Sequence, residues 1–163
     1  MNREGEALIL REHLETVDHL VGSLDRVQGR IASLVPFTPE RTRALAGDDH
    51  IYVLAFLKTF EQLEEALGRT LKTVVMLMHL GEVLRLTPRD VAFRAASLGI
   101  IPDAKAWADA VRVRNALAHE YPLDPAKQAG QVNAAWHMRE TLIETGRSIH
   151  DFVERERLLH GDL

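Results

Sequence analysis

The stretch LREHLETVDHLVGSLDRVQGRIASLV, residues 10–35, decides the fold class. Its apolar positions run Leu10, Leu14, Val17, Val21, Leu24, Ile31 and Val35, a seven-residue repeat interrupted only by Gln28. Leu20, Val27 and Leu34 widen the stripe, so the face suits a bundle core better than a narrow two-stranded seam. Pro36 ends the pattern, and the stretch from Pro36 to Asp49 is rich in helix breakers. Within it, Thr38-Pro39 is expected to cap a short helix closed by Gly47.

The same period continues downstream. A second long helix is expected from about His50 to Arg85, with Val53, Phe56, Phe60, Leu63, Leu67 and Leu71 on its apolar face. Glu65 and Arg69, four apart, can pair on its wet side. Thr87-Pro88-Arg89-Asp90 reads as a capped helix start, and Gly99 as that helix's end. Pro102-Asp103 opens a further helix that cannot pass Glu120, because Pro122 drives Tyr121 out of the α region. Asp124-Pro125 caps a last long helix. No strand-like alternation competes, so the expectation is an all-α antiparallel up-and-down bundle of four main helices with one or two short ones. It reads as one domain over 1–163, with a core of about 8–153, a linker at 36–49 and a tail at 155–163.

The chain has 163 residues, a formal charge of −4 and no cysteine. Cysteine chemistry of every kind is excluded, and bulk acidity is unusual for a nucleic-acid binder. The N-terminus carries acids where a secretory peptide needs bases, and the longest apolar run is too short for a bilayer, so a cytoplasmic protein is expected. Metal spacing is missing as well. No histidine has a glutamate three residues before it, and no two histidines lie three or four apart. Glu61, Glu64 and Glu65 read as a solvated helix face beside Arg69 and Lys72 rather than as catalytic acids. Trp107 and Trp136 read as core residues.

One segment differs in kind: Val113-Arg114-Asn115-Ala116-Leu117-Ala118-His119-Glu120-Tyr121-Pro122. It joins a permanent cation, an amide, a histidine and a phenol at a helix end. With 16 arginines and 8 histidines in the chain, the spacing Arg-x4-His should arise about 0.8 times by chance. Arg155 and His160 are a second copy. Adding a tyrosine two residues after the histidine lowers the expectation to roughly 0.01, and only the first copy meets it.

Arg114-Asn115-x3-His119-x-Tyr121 resembles the Arg-x4-His-x-Tyr motif of HepT-type ribonuclease toxins in the HEPN superfamily. The order of helices is similar too, with the motif ending the penultimate long helix. The resemblance implies metal-independent RNA cleavage by a homodimer whose two motifs face each other, with Arg114, His119 and Asn115 as catalytic residues. It also implies a cognate minimal nucleotidyltransferase antitoxin that can transfer AMP to Tyr121. No cofactor, no membrane and no DNA partner is expected.

The residues support the chemistry on their own terms. An imidazole such as that of His119 can exchange protons with a ribose hydroxyl or a leaving oxygen. Arg114 offers a fork matched to phosphate. On a straight helix the two lie about 140° apart, so one chain makes a poor site unless the helix ends at His119 or a second copy completes it. Two other readings stay open: a non-catalytic nucleotide- or substrate-binding companion of a nucleotidyltransferase, and a helical dimerisation scaffold. In the plainest one, Arg114 and His119 only serve the carbonyls and dipole of a helix end, and Tyr121 only packs its ring there. The bulk charge is uneven. From Arg85 to His119 six basic residues stand against three acids, so a basic segment ends at the motif.

Overall fold

The computed structural model describes residues 3–78, 86–120 and 122–160. Among them are six helices and no strand: α1 (Arg3–Ile31), α2 (Pro39–Arg43), α3 (Gly47–Leu77), α4 (Pro88–Ser97), α5 (Ala104–His119) and α6 (Pro125–Arg155). The all-α reading holds, with four long helices and two short ones.

The heptad residues enter the core as their period requires. Leu10, Leu14, Val17, Leu24 and Ile31 are buried, and Leu20, Val21, Val27, Leu34 and Val35 pack around them. Gln28 keeps its place in the stripe because Arg139 Nε of α6 donates to its Oε1 at 2.9 Å, while its own Nε2 donates to Asp25 at 2.6 Å. A buried polar side chain is tolerated where its hydrogen bonds are made.

Contacts between helices give their directions. Thr73 lies beside His13, and Arg30 stacks over Tyr52, so α1 and α3 run antiparallel. His150 meets Asp18 and Arg139 meets Gln28, so α1 and α6 do the same. Glu64 meets Arg114 and Gly68 faces Trp107, which makes α3 and α5 antiparallel.

Local chemistry sets the ends. Thr87 and Asp90 form a reciprocal capping box, Thr87 Oγ1 accepting from Asp90 N at 3.1 Å and Thr87 N donating to Asp90 Oδ2 at 3.0 Å. After α4, Gly99 at φ +76° turns the chain, Ile100 N donates to Ala95 O at 2.9 Å, and the Ile100 side chain is buried. A positive φ of this kind favours glycine. Asp103 and Asp124 cap α5 and α6.

Two boundaries differ from expectation, the end of α2 and the start of α3. The first helix runs from Arg3 to Ile31 and closes with a 3-10 turn at Ala32–Leu34. Gly47 does not close α2; Ala44 does, and Gly47 opens α3. The expected end of the second long helix at Arg85 falls outside the described residues. The stretch 36–49 is packed: Phe37 is buried, its N–H and C=O both bound by the Asn133 amide of α6 at 2.8 and 2.9 Å. Thr38 caps α2 as its spacing predicted.

Two glycines of α6 make opposite tests of the packing. A Cβ on Gly146 would lie 3.4 Å from Val17 Cγ1 and 3.8 Å from Leu67 Cδ2, where α1, α3 and α6 meet. A Cβ on Gly130 would meet nothing within 4 Å. Gly146→Val is expected to cost about 1–3 kcal/mol by overpacking, lowering the unfolding midpoint by roughly 2–12 °C. Gly130→Ala should raise it by about 2–4 °C, from up to about 1 kcal/mol of helix propensity. Differential scanning calorimetry of the two variants checks both signs.

Candidate nucleic-acid site at the end of the fifth helix

Helix α5 ends at His119 because Glu120 adopts an extended conformation, its N–H still reaching Ala116 O at 2.9 Å. From α6, Gln128 Nε2 donates to Pro122 O at 2.8 Å, and Gln131 Nε2 lies 3.5 Å from the carbonyls of Ala116 and Glu120. These amides answer carbonyls that the helix end leaves without partners. They tie the motif's exit to the last helix, and nothing in their spacing marked them beforehand.

Arg114 is the structural surprise. Its Nε donates to Glu64 Oε2 at 2.6 Å, and its Nη1 lies 3.8 Å from Glu65 Oε1. Glu64 is only 3% exposed. The expectation that Glu61, Glu64 and Glu65 share a solvated face is therefore wrong for Glu64, which points inward where α3 meets α5. The expected Glu65–Arg69 pair is absent among the described residues, since Glu65 turns to Arg114 instead. In the plain alternative, Arg114 would serve the carbonyls of its own helix end; its Nε bonds α3 instead. That is the geometry of a held guanidinium, with its fork partly left for another anion.

The remaining motif residues divide between places. Arg114 and Asn115 line a groove of about 490 Å³ between α3, α4 and α5, whose rim also carries Glu64, Glu65, Arg69 and Lys72. Leu86, Pro88, Val91, Trp107 and Val111 give it an apolar floor. The Trp107 indole edge lies over α3 at Gly68. His119 is exposed at the helix end, outside the lining of this groove, and none of the described residues binds its ring. One chain thus brings Arg114 and Asn115 together and leaves His119 apart. Tyr121 lies outside the described residues.

Of the two tryptophans, Trp107 is buried as expected. Trp136 is only partly buried, 5.8 Å from the Phe56 ring and covered by Arg139 at 3.7 Å. Within the basic segment, Arg112 pairs with Asp109 at 3.0 Å and Arg114 with Glu64, so fewer of its charges are open than the count suggested. Arg85 lies outside the described residues.

No family model, curated protein or solved structure matches the chain. Among the described residues, no three metal-ligating side chains come together, and no helix is long and apolar enough to cross a membrane.

The Glu64–Arg114 pair carries a pH signature. Burial pushes the Glu64 carboxyl above its ordinary value near 4.5, while the hydrogen bond and charge of Arg114 pull it back. A carboxyl raised in the folded state favours folding while protonated. That contribution is complete below the unfolded value and is lost as pH rises through the raised folded one. Arg114→Ala strands the carboxylate, so its cost should reach on the order of 3 kcal/mol at pH 8. At pH 5 Glu64 can stay buried as the neutral acid, and the cost should be smaller. Glu64→Gln keeps an acceptor for Arg114 Nε and should gain stability relative to wild type as pH rises. Thermal unfolding at the two pH values measures both trends; equal losses for Arg114→Ala at pH 5 and pH 8 would contradict the assignment.

Proposed function

We propose that the chain is a HEPN-type, metal-independent endoribonuclease, the toxin of a pair whose antitoxin is a nucleotidyltransferase. The observation that carries this reading is the arrangement of the motif at the end of α5. Arg114 is anchored by a buried carboxylate and faces a groove together with Asn115, while His119 stands free at the exposed helix terminus.

In this reading the scissile phosphate sits against the Arg114 fork, with Asn115 orienting it. His119 removes the proton of the ribose 2′-hydroxyl, and the 2′-oxygen forms a bond to phosphorus. The bond from phosphorus to the 5′-oxygen breaks, and that oxygen takes the proton back from the imidazolium of His119, directly or through a water molecule. The products are a 2′,3′-cyclic phosphate and a 5′-hydroxyl. Arg114 compensates the extra charge of the pentacoordinate transition state. Because Arg114 and His119 diverge around the helix, the complete site needs a second copy.

A face for that copy lies at the same end of the bundle. Leu54 and Leu123 are 53% and 91% exposed, and Leu54 borders a cavity of about 310 Å³ whose lining mixes Leu57, Leu117 and Pro122 with Lys58, Glu61 and Gln128. Large exposed apolar side chains beside such a cavity suit an interface with a second copy. AMP transfer to Tyr121 would place a negative phosphodiester two residues from His119 and repel RNA phosphate.

The decisive assay incubates purified protein with an RNA oligonucleotide in EDTA. Wild type should yield cyclic-phosphate ends. His119→Ala should lose at least 100-fold in rate, in line with the usual worth of a general acid or base. Cleavage unchanged in His119→Ala, or seen only with added Mg²⁺, would retire the reading. Leu123→Glu with Leu54→Glu should give a monomer by light scattering and lose activity in parallel; a monomeric variant with full activity would exclude the composite site.

A further inference from the structure

The groove that receives Arg114 continues past the motif, and its far rim has chemistry of its own. Arg69 and Lys72, both exposed, stand three residues apart on α3, neighbours on one helix face. None of the described carboxylates pairs with either. Two cations thus overlook an apolar floor of Leu86, Pro88, Val91 and Val111 beside Trp107.

We infer that this groove seats one unpaired nucleotide of single-stranded RNA next to the scissile phosphate, its base on the apolar floor and its phosphate on Arg69 and Lys72. The inference rests on the ribonuclease reading for the position of the scissile phosphate. Its size, about 490 Å³, falls in the range of pockets that take small ligands. An apolar floor accepts the face of a base only when that base is unstacked, which a single strand allows and a duplex does not. The charge pattern agrees. Three cations line the groove against two carboxylates, and one of those, Glu64, is buried under Arg114. Glu65 remains at the Arg114 end, 3.8 Å from that guanidinium, so among the described residues no carboxylate pairs with the Arg69–Lys72 rim. The groove therefore selects strand state more than sequence, because any base has a face to lay down.

The test measures binding with His119→Ala protein, which keeps the groove and removes the proposed proton carrier. Fluorescence anisotropy follows a 5′-fluorescein-labelled, unstructured RNA 12-mer and its blunt duplex between 50 and 200 mM NaCl. The single strand should bind at least about tenfold tighter than the duplex. Adding Arg69→Ala and Lys72→Ala should weaken single-strand binding about tenfold at 50 mM salt. It should also reduce the slope of log K against log salt by about 0.7, the loss of one single-strand phosphate contact. Both positions are exposed, and an unchanged unfolding midpoint confirms that the variant is folded. Equal affinity for duplex, an unaltered slope in the double variant, or no binding of either RNA would overturn the inference. The two readings separate cleanly. RNA held in this way by a chain that never cuts it would retire the nuclease and leave the seat; cutting with an unaltered KM in Arg69→Ala/Lys72→Ala would do the reverse.

Discussion

The carboxylate of Glu64, buried where α3 meets α5 and bonded to Arg114 at 2.6 Å, is the constraint around which the motif end of this molecule is arranged. A buried carboxylate is expensive unless a cation answers it. That need fixes the rotation of α5 about its own axis: Arg114 must face α3, and Asn115 borders the adjoining groove. His119 lies one turn beyond Asn115, at the exposed helix end and outside the groove's lining. The Glu64–Arg114 pair also holds a long, flexible side chain in place.

Two further devices make that arrangement rigid. Trp107 is buried against α3 at Gly68, one α3 turn from Glu64, so the α3–α5 contact is closed by packing as well as by charge. At the other end, Gln128 and Gln131 of α6 reach carbonyls of the chain leaving α5. The end of α5 is therefore held from both sides by helices distant in sequence, and His119 is left in solvent. Preorganised groups of this sort are what an electrostatic mechanism requires, since they need no reorganisation when charge develops.

Much of the fold was legible beforehand because it rests on local rules. The heptad of α1 specified a buried stripe, Thr87 and Asp90 specified a capping box, Gly99 specified a left-handed turn, and Pro122 stopped α5. Glu64 was misread for a physical reason. Its neighbours Glu61, Glu65, Arg69 and Lys72 make the segment look like a wet face, and a single acid on the inner side of an amphipathic helix leaves no periodic trace. Only its partner, fifty residues later, explains why it is buried. Gln128 and Gln131 were silent for the same reason, being ordinary helix residues until the chain end they bind is brought beside them.

The sequence by itself determined the helices, their ends and the stripes that bind them into a bundle, because propensity, capping and hydrophobic period act within a few residues. It also marked Arg114, Asn115, His119 and Tyr121 as a group that chance does not readily assemble. What only the tertiary structure decided is which charges are answered and which are open. Arg114 is satisfied by Glu64, while Arg69 and Lys72 stand unpaired over an apolar groove. Those outcomes depend on contacts between residues far apart in the chain, where burial and partner geometry, rather than residue type, set the energy of a charge.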